Sequence, residues 1–186
     1  MSRMLIVSPE FNCSQEILTI VAMLSGNLFW LDVLMRLIAS LVVPNIWVRP
    51  NEKRKEADIA KQRLSIPEGD HLTLLNVFDE YQNSTYRSNM FSPLMAKIWS
   101  DLRNRKWAWD NYVSARSLAE AAKVRDQILR IMERLEINQE ATSHRDQTSL
   151  YMGIRKALVC GYFTQVAHKN GSSYLTIKDN QVRLNL

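Results

Sequence analysis

Asn111, Ser114 and Arg116 fall within six positions of one another, immediately ahead of the strongest helical pattern in the chain. An amide, a hydroxyl and a guanidinium at such a place have the chemistry to hold a phosphate. The first N–H groups of a helix lack intrahelical partners and carry partial positive charge, so an anion is favoured beside them. In the pattern that follows, Leu118, Ala121, Val124, Ile128, Ile131 and Leu135 recur at three- and four-residue steps and fall on one helical stripe. Ser117 and Glu120 have the spacing of a capping box, which predicts a helix start near Ser117. A shorter helix through Trp107 and Trp109 is expected before it. An ordinary helix–helix corner is the competing reading of the same residues.

Other chemistry is excluded or weak. Five glycines are too few and too scattered for a G-x-x-x-x-G-K-[ST] phosphate loop, and no H-E-x-x-H, G-x-S-x-G or kinase signature occurs. Cys13 and Cys160 have no CxxC spacing, so neither a disulfide framework nor a zinc site is expected and a reducing, intracellular compartment fits best. Cys160 lies eight positions from His168 in an apolar neighbourhood, which reads as packing rather than as a nucleophile–base pair. His71 has no second ligand one turn away and reads as structural. No catalytic residue, metal ligand or bound cofactor is expected in this chain. With 186 residues, 46% of them hydrophobic and 23% charged, there is material for a substantial core; the formal charge of +5 is compatible with nucleic acid without requiring it.

The elements that would position the corner are helical. Asn12, with Gln15 three positions on, predicts the start of a helix running to about Ser25, with Ile17, Leu18, Val21 and Leu24 on one face. The apolar stretch 26–42 carries Asp32 and Arg36 near its middle. Charges at that depth cost about 2.5–3.5 kcal/mol each in a bilayer, so an i,i+4 pair on a helix is the better reading than a membrane span. Pro44 and Pro50 bracket an extended piece, NIWVR, after which Asn51 is expected to cap a charged helix. Asp70 opens another, with Leu74, Leu75, Phe78 and Tyr81 toward a core. Residues 83–104 read as a loop with one short helix, interrupted at Pro93, and 138–147 as a polar linker. Leu150, Ile154, Ala157, Leu158 and Gly161 mark a further core helix, continuing through Tyr162 and Phe163. The period then changes: the alternation from Tyr174, a turn at Asp179–Asn180, and Val182 and Leu184 predict a β-hairpin. The fold class is mainly α, with this hairpin at the C-terminus.

The segments MLIVSPEFNCSQEILTIVAMLS, VRPNEKRKEADIAKQRL, EGDHLTLLNVFDEY, WAWDNYVSARSL, IRKALVCGYFTQVAH and YLTIKDNQV, in this order, resemble the C-terminal region of the spliceosomal DEAH-box RNA helicases. The likeness is greatest to the branch that releases the intron lariat and also serves ribosome biogenesis. The resemblance implies the end of a winged-helix domain at 1–11, a ratchet-like helical bundle at 12–170, and the start of an oligonucleotide-binding barrel (OB-fold) at 171–186. Two stretches, 26–42 and about 84–104, depart from the family pattern. They are expected to be retained introns or gene-model errors, and the absence of ATPase domains to be part of the same truncation.

In that family the ratchet-like domain packs on two RecA-like ATPase domains and forms one wall of a tunnel for single-stranded RNA. Asn111, Ser114 and Arg116 match the family's segment ahead of its central helix, which implies sequence-independent contacts to phosphate and 2′-OH groups. The resemblance further implies that ATP and magnesium belong to the parent protein's ATPase domains. Glycine-rich-patch activators are implied as possible partners, with most of their docking surface outside this chain, together with a nuclear location and no membrane partner. A helical protein-interaction scaffold without RNA binding is the alternative.

Overall fold

The computed structural model describes residues 1–25, 46–83, 93–137, 146–171, 173–176 and 181–182. Seven α-helices are present among them: α1 Ser2–Val7, α2 Ser14–Ser25, α3 Arg54–Leu64, α4 Asp70–Asn83, α5 Pro93–Asp110, α6 Ala115–Arg134 and α7 Gln147–Gly161. Strands β1 Ala167–Asn170, β2 Ser173–Thr176 and β3 Gln181–Val182 follow as one antiparallel sheet in that order. The mainly helical class and the C-terminal β-structure are as the sequence predicts. The stretch 26–42, with Asp32 and Arg36, and the Asp179–Asn180 turn lie outside the described residues. None of the described helices is long and apolar enough to cross a membrane.

The chain divides into two compact units, 1–17 with 132–186, and 18–131. In the larger one, every residue from Leu18 to Met23 is buried. The run ILTIVAM is apolar nearly all round, as expected of a helix enclosed by others. Helix α2 is therefore enclosed by its neighbours over this run. Helix α6 is amphipathic instead: Leu118, Ala121 and Val124 are buried while its outer face is charged. Arg125 reaches from α6 to α2, its Nε donating to Thr19 Oγ1 at 3.0 Å. Met23, Ile46, Leu64, Val77, Phe78, Tyr81, Val113, Leu118 and Ala121 form one core cluster. Tyr81 meets Trp107 edge-on, with ring centroids 6.1 Å apart, and so ties α4 to α5.

His71, in the first turn of α4, is held below its ordinary value of 6.5 by burial, against the opposing pull of the Asp70 carboxylate. The unfolded chain therefore binds more protons than the folded one between that lowered value and 6.5. Stability from this group is full above 6.5 and is lost as the pH falls through the window. Melting temperatures at about pH 7.5 and about pH 5.5 should fall further for the wild type than for His71→Asn. Equal falls would remove His71 from the acid response.

In the smaller unit α1 crosses α7 where Gly161 has no side chain, and Met4 fills the space. Arg3 covers the Phe163 ring, its guanidinium carbon 4.6 Å from the centroid. The α-helix ends at Gly161, with a 3-10 turn over Phe163–Gln165, rather than continuing through Tyr162 and Phe163. Strand β1 was not expected. It pairs with β2 from Ala167↔Thr176 to Asn170↔Ser173, and Gly171, at φ 61°, supplies the left-handed turn residue. Gly171–Ser172 is itself a two-residue hairpin signal in the sequence.

Candidate nucleic-acid interface

The corner between α5 and α6 is built on a helix C-terminus that stops without glycine. Val113 N–H donates to Ala108 O at 2.9 Å and Tyr112 N–H to Trp109 O at 3.2 Å. These are the two hydrogen bonds of a Schellman motif, whose left-handed position is filled here by Tyr112 at φ 55°. The buried pair Val113 and Ala108 supplies the apolar contact that accompanies this motif. A tyrosine in the left-handed region costs about 1–2 kcal/mol relative to ordinary helical backbone, so the surroundings must hold it there. They do so on both sides. Tyr112 O accepts from Val48 N–H at 2.8 Å, and the phenol donates to Glu56 Oε2 at 2.5 Å. That carboxylate raises the Tyr112 phenol above its ordinary 10, with burial and the carboxylate charge acting in the same direction.

Residues 46–48 lie antiparallel to 112–114: Trp47 bridges Val113, and Ser114 N–H donates to Ile46 O at 2.8 Å. This extended piece is where the two prolines predict one. Its partner could not be read from the sequence, because the two strands are more than sixty positions apart. Ile46 and Val113 belong to the core cluster, so the corner is fastened to the interior.

The helix start is displaced from its expected place. Ser114, not Ser117, caps α6. Its Oγ accepts from Ser117 N–H at 3.2 Å and from the Ser117 hydroxyl at 2.9 Å, while its carbonyl takes Leu118 N–H at 3.1 Å. Arg116 is thus the second residue of the helix rather than the residue before the cap. It is exposed, and it has no ion pair or hydrogen bond among the described residues. The first turn of α6 holds no acid. The helix through Trp107 and Trp109 is also longer than expected. Pro93, read as an interruption, is its first residue, which suits a proline because no N–H is needed there.

The three candidate residues divide in two. Asn111 is only 5% exposed, and both ends of its amide are engaged: Oδ1 accepts from the Arg63 guanidinium, and Nδ2 donates to Trp107 O at 2.8 Å. It holds the corner together. Ser114 is half-buried and spends its hydroxyl on capping. Arg116 alone of the three presents an uncommitted charge to solvent. Cys160 and His168 are on different elements, α7 and β1, and no group of three or more metal-ligating side chains gathers among the described residues.

Residues beside the corner that sequence reasoning did not single out are Trp47, Tyr112 and Glu56. Lys61 and Arg63 lie on α3, the charged helix that the sequence predicts after Asn51, whose basic residues could touch phosphate but whose mixed signs read as a solvated face. Lys61 Nζ lies 5.8 Å from the Trp47 ring centroid, and Arg49 pairs with Asp58 at 2.6 Å. Residues 1–74 match the family model described as the helicase-associated domain (HA2), ratchet-like. The matched stretch takes in α1, α2, α3 and the start of α4, runs across 26–42, and ends before the 111–116 corner. It supports a helicase accessory region.

Proposed function

We propose that this chain is the RNA-binding ratchet region of an ATP-dependent DEAH-box RNA helicase acting in pre-mRNA splicing and ribosome biogenesis in the nucleus. In this reading residues 1–11 close a winged-helix domain, 12–170 form the ratchet and 171–186 open an OB-fold. The parent protein's ATPase domains supply ATP hydrolysis with magnesium and are the intramolecular partners. The observation that carries RNA binding is Arg116. A cation in the first turn of a 20-residue helix opposes the helix dipole, and no acid in that turn offsets it. A phosphate resolves the conflict, taking the guanidinium together with the N–H groups of Ala115 and Arg116. Contacts of this kind grip a strand without reading its bases.

Binding of a fluorescent single-stranded oligoribonucleotide to the whole chain, followed across a salt series, tests the reading. Affinity should fall as salt rises. Arg116→Ala should weaken binding about tenfold, equally for unrelated sequences, and lower the salt slope by about 0.7, the loss of one phosphate contact. Unchanged affinity with a lower melting temperature would make Arg116 a structural residue. A helical interaction scaffold is the second reading. It is favoured by Leu102 and Trp109, exposed seven residues apart on α5, with Trp109 at 83% exposure. A stable protein complex with no RNA binding at low salt would select it.

A further inference from the structure

We infer that the groove between residues 47–49 and α3 is a base-stacking subsite, taking one nucleobase of the strand whose phosphate Arg116 holds. The inference rests on the RNA reading above and adds to it a second kind of contact. The groove has a volume of about 300 Å³, the low end for a small-molecule site and room for a single base. Trp47 and Tyr112 supply its aromatic surface, and Arg49, Asp58 and Lys61 its polar edge. Trp47 also packs against the core cluster, so the indole is held at a fixed angle rather than swinging in solvent. Lys61 lies over the indole at 5.8 Å, where a strand's base would displace the ammonium toward the adjoining phosphate.

Three features favour a base over another small ligand. The Arg49–Asp58 pair, more than half exposed on both side chains, offers donors and acceptors together, which suits the edge of any base and selects none. The groove adjoins the Arg116 corner through the 46–48/112–114 pairing, so one strand can occupy both. Tyr112 is held in a left-handed conformation that glycine fills at no steric cost. Held there by Glu56 and Val48, its side chain lines the groove. Stacking on aromatic side chains is tolerant of sequence because every base has a π-face.

Tyr112→Gly is the informative variant. It relieves the left-handed strain and retains the Schellman turn, which offsets loss of the phenol–Glu56 hydrogen bond, and it removes one wall of the groove; a melting curve checks the fold before titration. Trp47→Leu removes the other aromatic surface, and Trp47→Phe conserves a stacking face. Each whole-chain protein is titrated with a single-stranded oligoribonucleotide of about ten nucleotides and with an abasic ribose-phosphate oligomer of equal length. Tyr112→Gly and Trp47→Leu should each weaken binding of the base-bearing strand about tenfold and leave the abasic oligomer unaffected, with Trp47→Phe close to wild type. Arg116→Ala should weaken both strands. If folded Tyr112→Gly protein binds the base-bearing strand like wild type, the stacking subsite is wrong and the phosphate corner stands. If the wild type binds neither strand, the RNA reading fails and the subsite with it. Should Trp47→Leu not fold, Tyr112→Gly decides alone.

Discussion

Asn111→Ala is expected to destabilise the larger unit by about 2–3 kcal/mol. The substitution removes a hydrogen bond to a charged donor, Arg63, and takes the side-chain Nδ2 donor from the Trp107 carbonyl, which keeps the backbone N–H of position 111. The Asn111 side of both bonds is nearly enclosed, so solvent is poorly placed to replace the amide there, although the exposed Arg63 guanidinium regains water. At roughly 2–4 °C per kcal/mol for a chain of this size, the melting temperature should fall by about 4–12 °C. Asn111→Asp separates the two bonds. Its carboxylate keeps an acceptor for Arg63 but turns an oxygen toward the Trp107 carbonyl, so it should also be destabilising, through the second bond alone. RNA affinity of the folded fraction should change little in either variant. An Asn111→Ala protein that melts like wild type but binds RNA weakly would make Asn111 a direct ligand instead of the pin that holds the corner.

The helical class was legible because the apolar patterns are long: Leu72 to Tyr81 and Leu118 to Val124 declare themselves by period, and Ile17 to Met23 by a nearly unbroken apolar run. Helix ends were less legible, for a reason written in the composition. With only five glycines, the chain ends several elements on other residues. Asn12, Tyr112 and Glu136 take positive φ, and each is the left-handed residue of a Schellman pair: Cys13 N to Ser8 O with Asn12 N to Pro9 O, Val113 with Tyr112, and Ile137 N to Met132 O with Glu136 N to Glu133 O. A tyrosine or glutamate gives no C-cap signal in sequence. Asn12 gives the wrong one, since asparagine also marks helix starts; it closes the preceding turn, and α2 begins on the carbonyl of Cys13.

The same logic explains the site. Arg116 was legible as a cation near a helix start, because that argument is local. The commitment of Asn111 to Arg63, 48 positions away, was not, and neither was the Trp47–Tyr112 groove, whose walls meet only through long-range pairing. Ile131 and Leu135 illustrate a local error. They continue the stripe on paper, but the buried position after Ile128 is Met132, one residue on from Ile131, and α6 ends at Arg134. A 3.6-residue period drifts relative to any fixed pattern of threes and fours, so the far end of a long stripe is the least certain part of it.

Gly161→Leu should be the most damaging single change in the smaller unit, at about 3 kcal/mol or more. Helix α1 approaches α7 closely enough that a Cβ at position 161 would stand 2.0 Å from Met4 Cγ and 2.7 Å from Met4 Cε, with Met4 fully buried. Glycine normally weakens a helix by about 1 kcal/mol relative to alanine, so its place at the last residue of α7 is a concession to this crossing. Gly161→Ala sets the two effects against each other. The backbone gains stiffness, but Met4 must leave its rotamer, and at 2.0 Å the steric effect should win. Met4→Ala alone opens a cavity and should cost about 2–5 kcal/mol. Combined with Gly161→Ala it should cost less than the sum of the two single changes, because the added methyl then enters the vacated space. Chemical denaturation of the four proteins closes this cycle. Additive losses would mean that position 161 and Met4 do not meet, and that the α1–α7 crossing is held by other contacts.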